Sequence, residues 1–362
     1  MWQVRDGDAG KAGMPRYGAV AAGLEARRVG VLVRRAVADM GAGIAYGSKA
    51  VLQPRDEELR DLTSRAMDEL CPATERLNWK LNALVSANAR YCAVKIVGSN
   101  ACNRAFGLPR SQSLIVLYDK LSMRPLAIFD GTEVSARRTG AYASMVVEAA
   151  LGQRPDLTVA LYGAGPIADC VIDDLQAHHA LRIGRIDVRS RRHASAVRFA
   201  AAAAQRSGLD VRAAPATGRG RADLVITATN AGTPVVAPEM LGEDVVVLHL
   251  GGDELPAGFI ERTLEHGSVV CDDVATVCHR NSQSLALYFS RQGRRLEDLA
   301  NLYGVRNLHE LAGASPVPLR HPALFTCVGL PVLDLYLAQW LYEQPQAGTG
   351  PSVIRPAMPC TD

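Results

Sequence analysis

The sequence predicts an α/β protein built as two units, and three observations predict it. The first is length: 362 residues, 48% hydrophobic in the broad sense and 21% charged, hold enough apolar chain for two cores at roughly 100–200 residues per domain. The second is a regular alternation of branched apolar runs with helix-like runs from Leu157 onward. The third is a glycine-rich turn, GAGPIA at Gly163–Ala168, between one such strand and one such helix. Alternation of this kind builds a parallel sheet covered on both faces.

In chain order, the first 25 residues carry no clear period and read as a loose extension. Order is expected from about Ala26, where Val29, Leu32, Val33 and Val37 recur at helical spacing before glycines that suit a helix end. A second helix, RDEELRDLTSRAMDEL, is expected after Pro54. Strands follow at Tyr91–Val97, Ser113–Tyr118 and Pro125–Asp130, where branched and aromatic residues are bounded by Gly, Pro and Asn. The run GTEVSARRTGAYASMVVEAALG reads as one helix and carries the boundary between the units. Beyond it come strand LTVALY, helix PIADCVIDDLQAHH, strand RIGRIDV, helix HASAVRFAAAAAQRSG, and strands LDVRAA, ADLVITAT, DVVVLHL and GSVVCDD. A last apolar helix, GLPVLDLYLAQWLYEQ, is expected to pack back on the first unit. The expected division is therefore 1–140, with 321–362 returning to it, and 141–320; residues 1–25 and 345–362 are expected to be mobile.

Forty basic against 37 acidic residues give a net charge of +3. That is too small a field to imply nucleic acid or an anionic membrane as partner, which leaves a small molecule. The eight cysteines form no C-x-x-C pair and read as reduced. The N-terminus lacks the apolar core of a secretory signal, and no run of about 18 apolar residues exists to span a bilayer; cytoplasm is the expected compartment. The eight histidines make no metal pattern, and neither a Ser-His-Asp set nor H-E-x-x-H is visible, so hydrolase and zinc chemistry and any metal are not expected. His249, inside an apolar strand, reads as a core residue.

The glycine turn has the context that gives G-x-G-x-x-[GA] its meaning. Gly163 permits the tight turn, Gly165 lets a pyrophosphate approach the backbone, and Ala168 allows helix and strand to pack closely. Ala164, Pro166 and Ile167 complete the loop, and the helix N-terminus supplies unpaired N–H groups and a positive dipole end. The expectation is a Rossmann dinucleotide-binding unit. Selection at the adenosine ribose falls about 20 residues on, where VRSRRH offers Arg189, Arg191 and Arg192. Arginine suits a 2′-phosphate, so NADP is favoured; NAD is the alternative if Asp187 faces the ligand. Thr139, Thr227 and Thr229 complete the expected cofactor contacts.

With these residues assembled, the chain resembles the ornithine cyclodeaminase and μ-crystallin family over roughly residues 26–344. The motifs are AVKIVGSN at Ala93–Asn100, RRTGAYAS at Arg137–Ser144, GAGPIAD at Gly163–Asp169, HLGGD at His249–Asp253 and CVG at Cys327–Gly329. Within the family the pattern is most similar to siderophore-pathway dehydrogenases acting on N-(2-amino-2-carboxyethyl)-glutamate. The features concerned are Gly98-Ser99, Asn103, Arg110, Ile167 and CHRNSQSLAL at Cys278–Leu287. The resemblance implies a Rossmann unit joined to a discontinuous α+β substrate and dimerisation unit, a homodimer, and an amino-acid substrate in the cleft between the units.

The residues themselves support such a cleft. Lys95 is a charge in an apolar strand, where an ammonium is costly unless it meets an anion; in the family the matching lysine binds the substrate carboxylate, and a structural ion pair is the alternative. Arg138 offers a planar fork for a carboxylate, or else a cofactor-phosphate contact or an ion pair linking the units. Asp253, after a strand and two glycines at the carboxyl edge of the sheet, suits proton transfer at the substrate nitrogen, the catalytic role the resemblance assigns; the alternative is a turn cap. Arg110 is a candidate for a second carboxylate or a surface residue. Val328 and Gly329 match the family's loop at the substrate and nicotinamide pocket.

One departure stands out. The family's first-strand arginine, upstream of the lysine, has no clear counterpart, and Lys49, Arg55, Arg76 and Lys80 compete for its place. The expected reaction oxidises a secondary-amine amino acid through an imine to an amine and a 2-oxo acid. Ornithine cyclodeaminase and ketimine reductase are alternatives, and a ligand-holding protein like the crystallin member is the alternative of another class.

Overall fold

The computed structural model describes residues 16–18, 24–53, 58, 79–100, 103, 107–217, 220–312 and 318–344. The helix expected after Pro54 and the two expected mobile ends fall outside the described residues, save Glu58, a short strand at Arg16–Gly18, and Leu24 and Glu25.

Six strands build the first sheet: β1 (Arg16–Gly18), β2 (Tyr46–Leu52), β3 (Lys80–Ala87), β4 (Tyr91–Ser99), β5 (Ser111–Asp119) and β6 (Pro125–Asp130). Their order is β1-β6-β5-β4-β3-β2. All neighbours are antiparallel except β1 and β6. Directly opposed residues share a face, so Lys49, Leu84, Lys95, Ile115 and Phe129 form one row across β2 to β6. The last four are buried. The opposite face leaves Tyr46, Leu52, Leu81, Val85, Ile96 and Leu114 exposed. β2 and β3 were not expected. Every β2 residue except Lys49 is exposed, so its sequence lacks the apolar alternation that announces a half-buried strand.

Helix α1 (Ala26–Gly41) starts where expected and buries Val29, Val33 and Val37. The expected single helix after β6 is two, α2 (Gly131–Gly140) and α3 (Tyr142–Ala150), meeting at Ala141. Asp130 caps α2 by accepting from the Thr132 N–H at 2.8 Å.

The second sheet is parallel throughout. Its strands are β7 (Leu157–Tyr162), β8 (Ile183–Arg189), β9 (Val211–Ala213), β10 (Leu224–Thr227), β11 (Val246–His249), β12 (Ser268–Cys271), β13 (Arg306–Asn307) and β14 (Ala323–Thr326). They stand in the order β13-β12-β14-β11-β10-β7-β8-β9. The chain leaves β7 in one direction through β8 to β9 and returns beside it with β10, so the switch point lies between β7 and β10. The crevice beyond their carboxyl ends is where open α/β sheets bind ligands. Connecting helices are α4 (Pro166–His179), α5 (His193–Ser207), α6 (Ala257–His266), α7 (Val274–Arg280), α8 (Ser284–Ser290) and α9 (Leu296–Leu299).

Helix α10 (Pro331–Glu343) leaves this sheet and packs on β2 to β5 and on α1, as expected of a helix whose first eight residues are all buried. The sequence reading assigned everything from residue 321 to the first unit. The structure places β14 near the middle of the second sheet, so among the described residues only α10 returns. Four apolar residues close to a long apolar helix give no separate signal. Among the described residues, no helix is long and apolar enough to cross a membrane.

Candidate active site

The nucleotide side of the crevice is built from backbone and small residues. Gly163 has φ +123°, and a Cβ there would lie 2.6 Å from the Ala228 carbonyl oxygen, so glycine lets the β7 and β10 loops touch. At Gly165 the Cβ position has nothing within 4 Å. Open space thus stands in front of α4, whose first residue is Pro166 and whose N–H groups face outward. Ala164 and Ile167 are half-buried, Pro166 is exposed and Ala168 is buried. Along the carboxyl edge the buried hydroxyls of Tyr162, Thr227 and Thr326 have no partner. A glycine cradle, an open helix N-terminus and unpartnered hydroxyls together fit a dinucleotide.

Other expected contacts are engaged within the protein. The Thr139 hydroxyl donates to the Ser135 carbonyl at 2.7 Å. Thr229 donates its N–H to Glu254 Oε1 at 2.6 Å and accepts from the Ala231 N–H at 3.1 Å. The three ribose-side arginines separate. Arg189 is buried, donates to the Pro215 carbonyl at 2.5 Å and lies 5.8 Å from the Tyr162 ring centre, whereas Arg191 and Arg192 are exposed on the loop beyond β8. Asp187 pairs with Arg185 at 3.0 Å.

On the opposite wall, Lys95 Nζ donates to Asp334 Oδ2 at 2.6 Å and to Ser135 Oγ at 3.0 Å. Arg138 Nε donates to Asp334 Oδ1 at 3.3 Å. All three charged groups are buried, so β4, α2 and α10 are joined by one carboxylate between two cations. Burial pushes the Asp334 carboxyl up, but Lys95 and Arg138 outweigh it and hold the group below the usual carboxylate range. Burial is likewise the main influence on Lys95, and with Arg138 it overcomes the pull of Asp334 to bring the lysine down to about 8. The structural ion pair weighed for Lys95 is therefore present; Arg138 shares the same acid, but α10 packs on the first sheet, so this pair lies within the first unit and does not link the two.

The CVG loop closes over this wall. Gly329 has φ +82°, and a Cβ there would fall 1.8 Å from Arg138 Nη1. The room this glycine leaves is thus used by Arg138, whereas the sequence reading gave it to substrate and nicotinamide. Asp272 holds the loop by accepting from the Gly329 N–H at 2.8 Å and from the Tyr142 hydroxyl at 2.9 Å; burial raises its pKa above the usual range. The Val328 carbonyl accepts from Arg280 Nη1 at 2.6 Å.

More cations line the same wall. Lys49 is brought down to about 6, first by burial and then by Arg280, Lys80, Arg138 and Lys95. Lys80 is lowered to about 8 by burial, Arg280 and Arg110. Of the four candidates for the missing arginine, Lys49 and Lys80 stand on the sheet face that carries Lys95, while Arg55 and Arg76 lie outside the described residues. Arg110 donates to the Asn230 side chain and ties the first sheet to the loop after β10.

Asp253 completes the site. It is 3% exposed, its N–H donates to the Ala231 carbonyl at 3.0 Å, and Oδ2 accepts from the exposed Arg291. Its Oδ1 is buried without a partner, which a pure turn cap would not leave. His249 is buried as expected, donating to the Gly252 carbonyl at 2.8 Å. Gln283 donates to the His249, Gly251 and Cys327 carbonyls at 3.4, 3.1 and 3.2 Å, which fixes the HLGGD and CVG loops together. The sequence reading missed Asp334, Arg280, Asp272, Arg291 and Gln283. For Asp334 a signal existed: it is the sole charge in PVLDLYLAQWL, as Lys95 is in its strand.

Residues 67–349 match the ornithine cyclodeaminase/mu-crystallin family. The chain belongs to this family. It is 30% identical over 249 residues to Delta(1)-pyrroline-2-carboxylate reductase 2 of Burkholderia ambifaria, covering 65% of this chain and 72% of that protein. It is 24% identical over 271 residues to an alanine dehydrogenase of Archaeoglobus fulgidus, covering 73% and 80% respectively. The fold is similar to that of Thermococcus litoralis Delta(1)-pyrroline-2-carboxylate reductase in complex with NADH and L-proline, with a TM-score of 0.73 at 20% identity over 91% of this chain and 96% of that one. The protein is thus an enzyme of the NAD(P)-dependent oxidoreductase or cyclodeaminase type, acting on carbon–nitrogen bonds.

Proposed function

We propose that the protein is a dehydrogenase of a polycarboxylic secondary-amine amino acid, of the type of N-(2-amino-2-carboxyethyl)-glutamate, which would place it in diaminopropionate supply for siderophore assembly. The observation that carries this reading is the cationic wall, where, among the described residues, Lys49, Lys80, Lys95, Arg138 and Arg280 act on one another and Asp334 and Asp272 are the buried acids beside them. A wall with surplus positive charge is matched by a substrate with several carboxylates. Ornithine, with its second ammonium, would add repulsion there.

A bound nicotinamide dinucleotide supplies the hydride acceptor: hydride leaves the glutamate Cα, that carbon forms a double bond to nitrogen, and water then splits the imine into 2-oxoglutarate and 2,3-diaminopropionate. Gly163, Gly165 and the α4 N-terminus would hold its diphosphate, with Thr139, Thr227 and Thr229 as further contacts. Lys95 and Arg138 orient the carboxylate next to the reacting carbon, with Arg110, Val328 and Gly329 bordering it. Asp253 takes the proton from the amine through Oδ1 and returns it as water adds. The 30% identity to a cyclic-imine reductase favours imine reduction as the second reading, since both directions share the imine.

The exposed Arg191 and Arg192 support NADP as cofactor, with NAD as the alternative. Calorimetry with NADPH and NADH tests this: the account expects tighter NADPH binding, with the gap closing in an Arg191→Ala, Arg192→Ala double variant. The exposed apolar face of the six-stranded sheet supports a homodimer, and free cysteines at 92, 170, 271, 278 and 327 support a cytoplasmic compartment. Turnover is tested by product analysis with N-(2-amino-2-carboxyethyl)-glutamate, which should give 2-oxoglutarate and reduced cofactor in equal amounts. Release of ammonia without cofactor reduction would replace the dehydrogenase by a cyclodeaminase.

A further inference from the structure

The segment from Gln283 to Arg291 grips the HLGGD turn at several points. The Gln283 amide donates to the His249, Gly251 and Cys327 carbonyls. One residue on, the Ser284 hydroxyl accepts from the Glu254 N–H at 2.8 Å and from the Leu255 N–H at 3.0 Å, so the backbone just after Asp253 is pinned at the start of α8. The Asp253 N–H itself is held by the Ala231 carbonyl, and a Cβ at Gly252 would fall 2.5 Å from that same oxygen. The main chain that carries Asp253 therefore has little room to shift.

What remains free is the side chain. A carboxylate turns about its Cβ–Cγ bond in a broad, two-fold well, so a fixed backbone does not decide which oxygen meets the substrate nitrogen. The far end of α8 supplies that decision. Arg291, its C-cap residue, donates its backbone N–H to the Leu287 carbonyl at 3.0 Å and its Nη2 to Asp253 Oδ2. Asp253 Oδ1 has no hydrogen-bond partner among the described residues. The pair thus sets an exposed cation that no working pH deprotonates against a carboxylate screened from water.

We propose that Arg291 is a positioning residue: by capping Oδ2 it fixes the Asp253 carboxylate so that Oδ1 is the oxygen that exchanges a proton with the substrate nitrogen. This inference rests on the proton-transfer role read for Asp253, and it holds for oxidation and for imine reduction alike, since both pass through the imine. Arg291 acts through Asp253 alone. The proton passes between the nitrogen and Oδ1, while the bond from Arg291 to Oδ2 stays intact and the guanidinium neither gives nor takes a proton.

The test is steady-state kinetics on wild type, Arg291→Gln, Arg291→Lys, Asp253→Asn and the double variant Arg291→Gln, Asp253→Asn. Two probes are used: N-(2-amino-2-carboxyethyl)-L-glutamate with NADP+ or NAD+, and Delta(1)-pyrroline-2-carboxylate with the reduced cofactors. Arg291→Gln should lower kcat by roughly 10- to 100-fold, the scale for misplacing a reacting group, with KM within about threefold of wild type and dinucleotide affinity by calorimetry within about twofold. Because the bond uses a single nitrogen, Arg291→Lys should keep kcat within about fivefold of wild type. In the Asp253→Asn background, Arg291→Gln should cost less than about threefold more, since residues that act as a unit are not additive. A kcat for Arg291→Gln within about twofold of wild type, a lysine variant no better than the glutamine one, an undiminished loss in the Asp253→Asn background, or a matching loss of dinucleotide affinity would overturn the positioning role. Should only Delta(1)-pyrroline-2-carboxylate turn over, the dehydrogenase reading falls and the same variants decide the role of Arg291 on that substrate; turnover of neither probe overturns both.

Discussion

The two walls of the cleft are made of different material. On the nucleotide wall, Gly163, Gly165 and the start of α4 present backbone and open space. On the substrate wall, charged side chains from β2, β3, β4, α2, α7 and α10 converge, several of them buried. The first wall recognises a shape and a diffuse negative charge with a helix terminus, which costs the fold little. The second holds cations whose burial is offset, among the described residues, by Asp334 and Asp272. Cofactor binding should therefore respond to added volume, and substrate binding and folding to altered charge.

The largest effect is expected at the proposed proton acceptor. Asp253→Asn keeps the shape and removes the proton acceptor, so kcat should fall on the order of 100 to 10,000-fold with a smaller change in substrate affinity, measured by steady-state kinetics and calorimetry. Near-normal turnover would return Asp253 to a turn cap. On the nucleotide wall, Gly165→Val fills the open space before α4 and should abolish dinucleotide binding while the melting temperature stays close to wild type; undiminished binding would break the shape side of the comparison.

Asp334→Ala attacks the charge side. It leaves Lys95 and Arg138 buried without their shared carboxylate, so stability should fall by about 3–5 kcal/mol in denaturant unfolding. A loss under about 1 kcal/mol would show that the inner pair is not held by this acid. A smaller effect concerns pH. Lys49 releases its proton at about 6 in the folded chain, against 10.5 for an unperturbed lysine. Between these values the unfolded chain binds more protons, so folded stability through Lys49 rises with pH. The advantage of Lys49→Gln over wild type in melting temperature should therefore be greatest near the lower limit and shrink as pH rises; an advantage that grows with pH would contradict the assignment.

The same contrast explains what could be read from the sequence. The nucleotide wall is local: strand, glycine turn and helix are contiguous, and α4 runs over the expected Pro166–His179. The substrate wall is assembled from far apart. Lys95 and Asp334 are 239 residues distant, and only the isolation of each charge in an apolar run hinted that they needed partners. Lys49 and Lys80 could be named as candidates but not placed, because the strands that align them lack a periodic apolar signal. Arg138 was legible as a candidate site residue, yet its packing against Gly329 required the fold. Likewise β14 was hidden by brevity, although the CVG motif that follows it was recognised.

The central claim is that the cleft oxidises a polycarboxylic amine with net hydride transfer. The most direct measurement follows the near-ultraviolet absorbance of reduced nicotinamide while the wild-type protein is mixed with N-(2-amino-2-carboxyethyl)-L-glutamate and NADP+ or NAD+. The account predicts a steady rise with one 2-oxoglutarate released per reduced cofactor, and no comparable rise with L-ornithine. A flat trace with this substrate, or ammonia release from ornithine at constant absorbance, would contradict it.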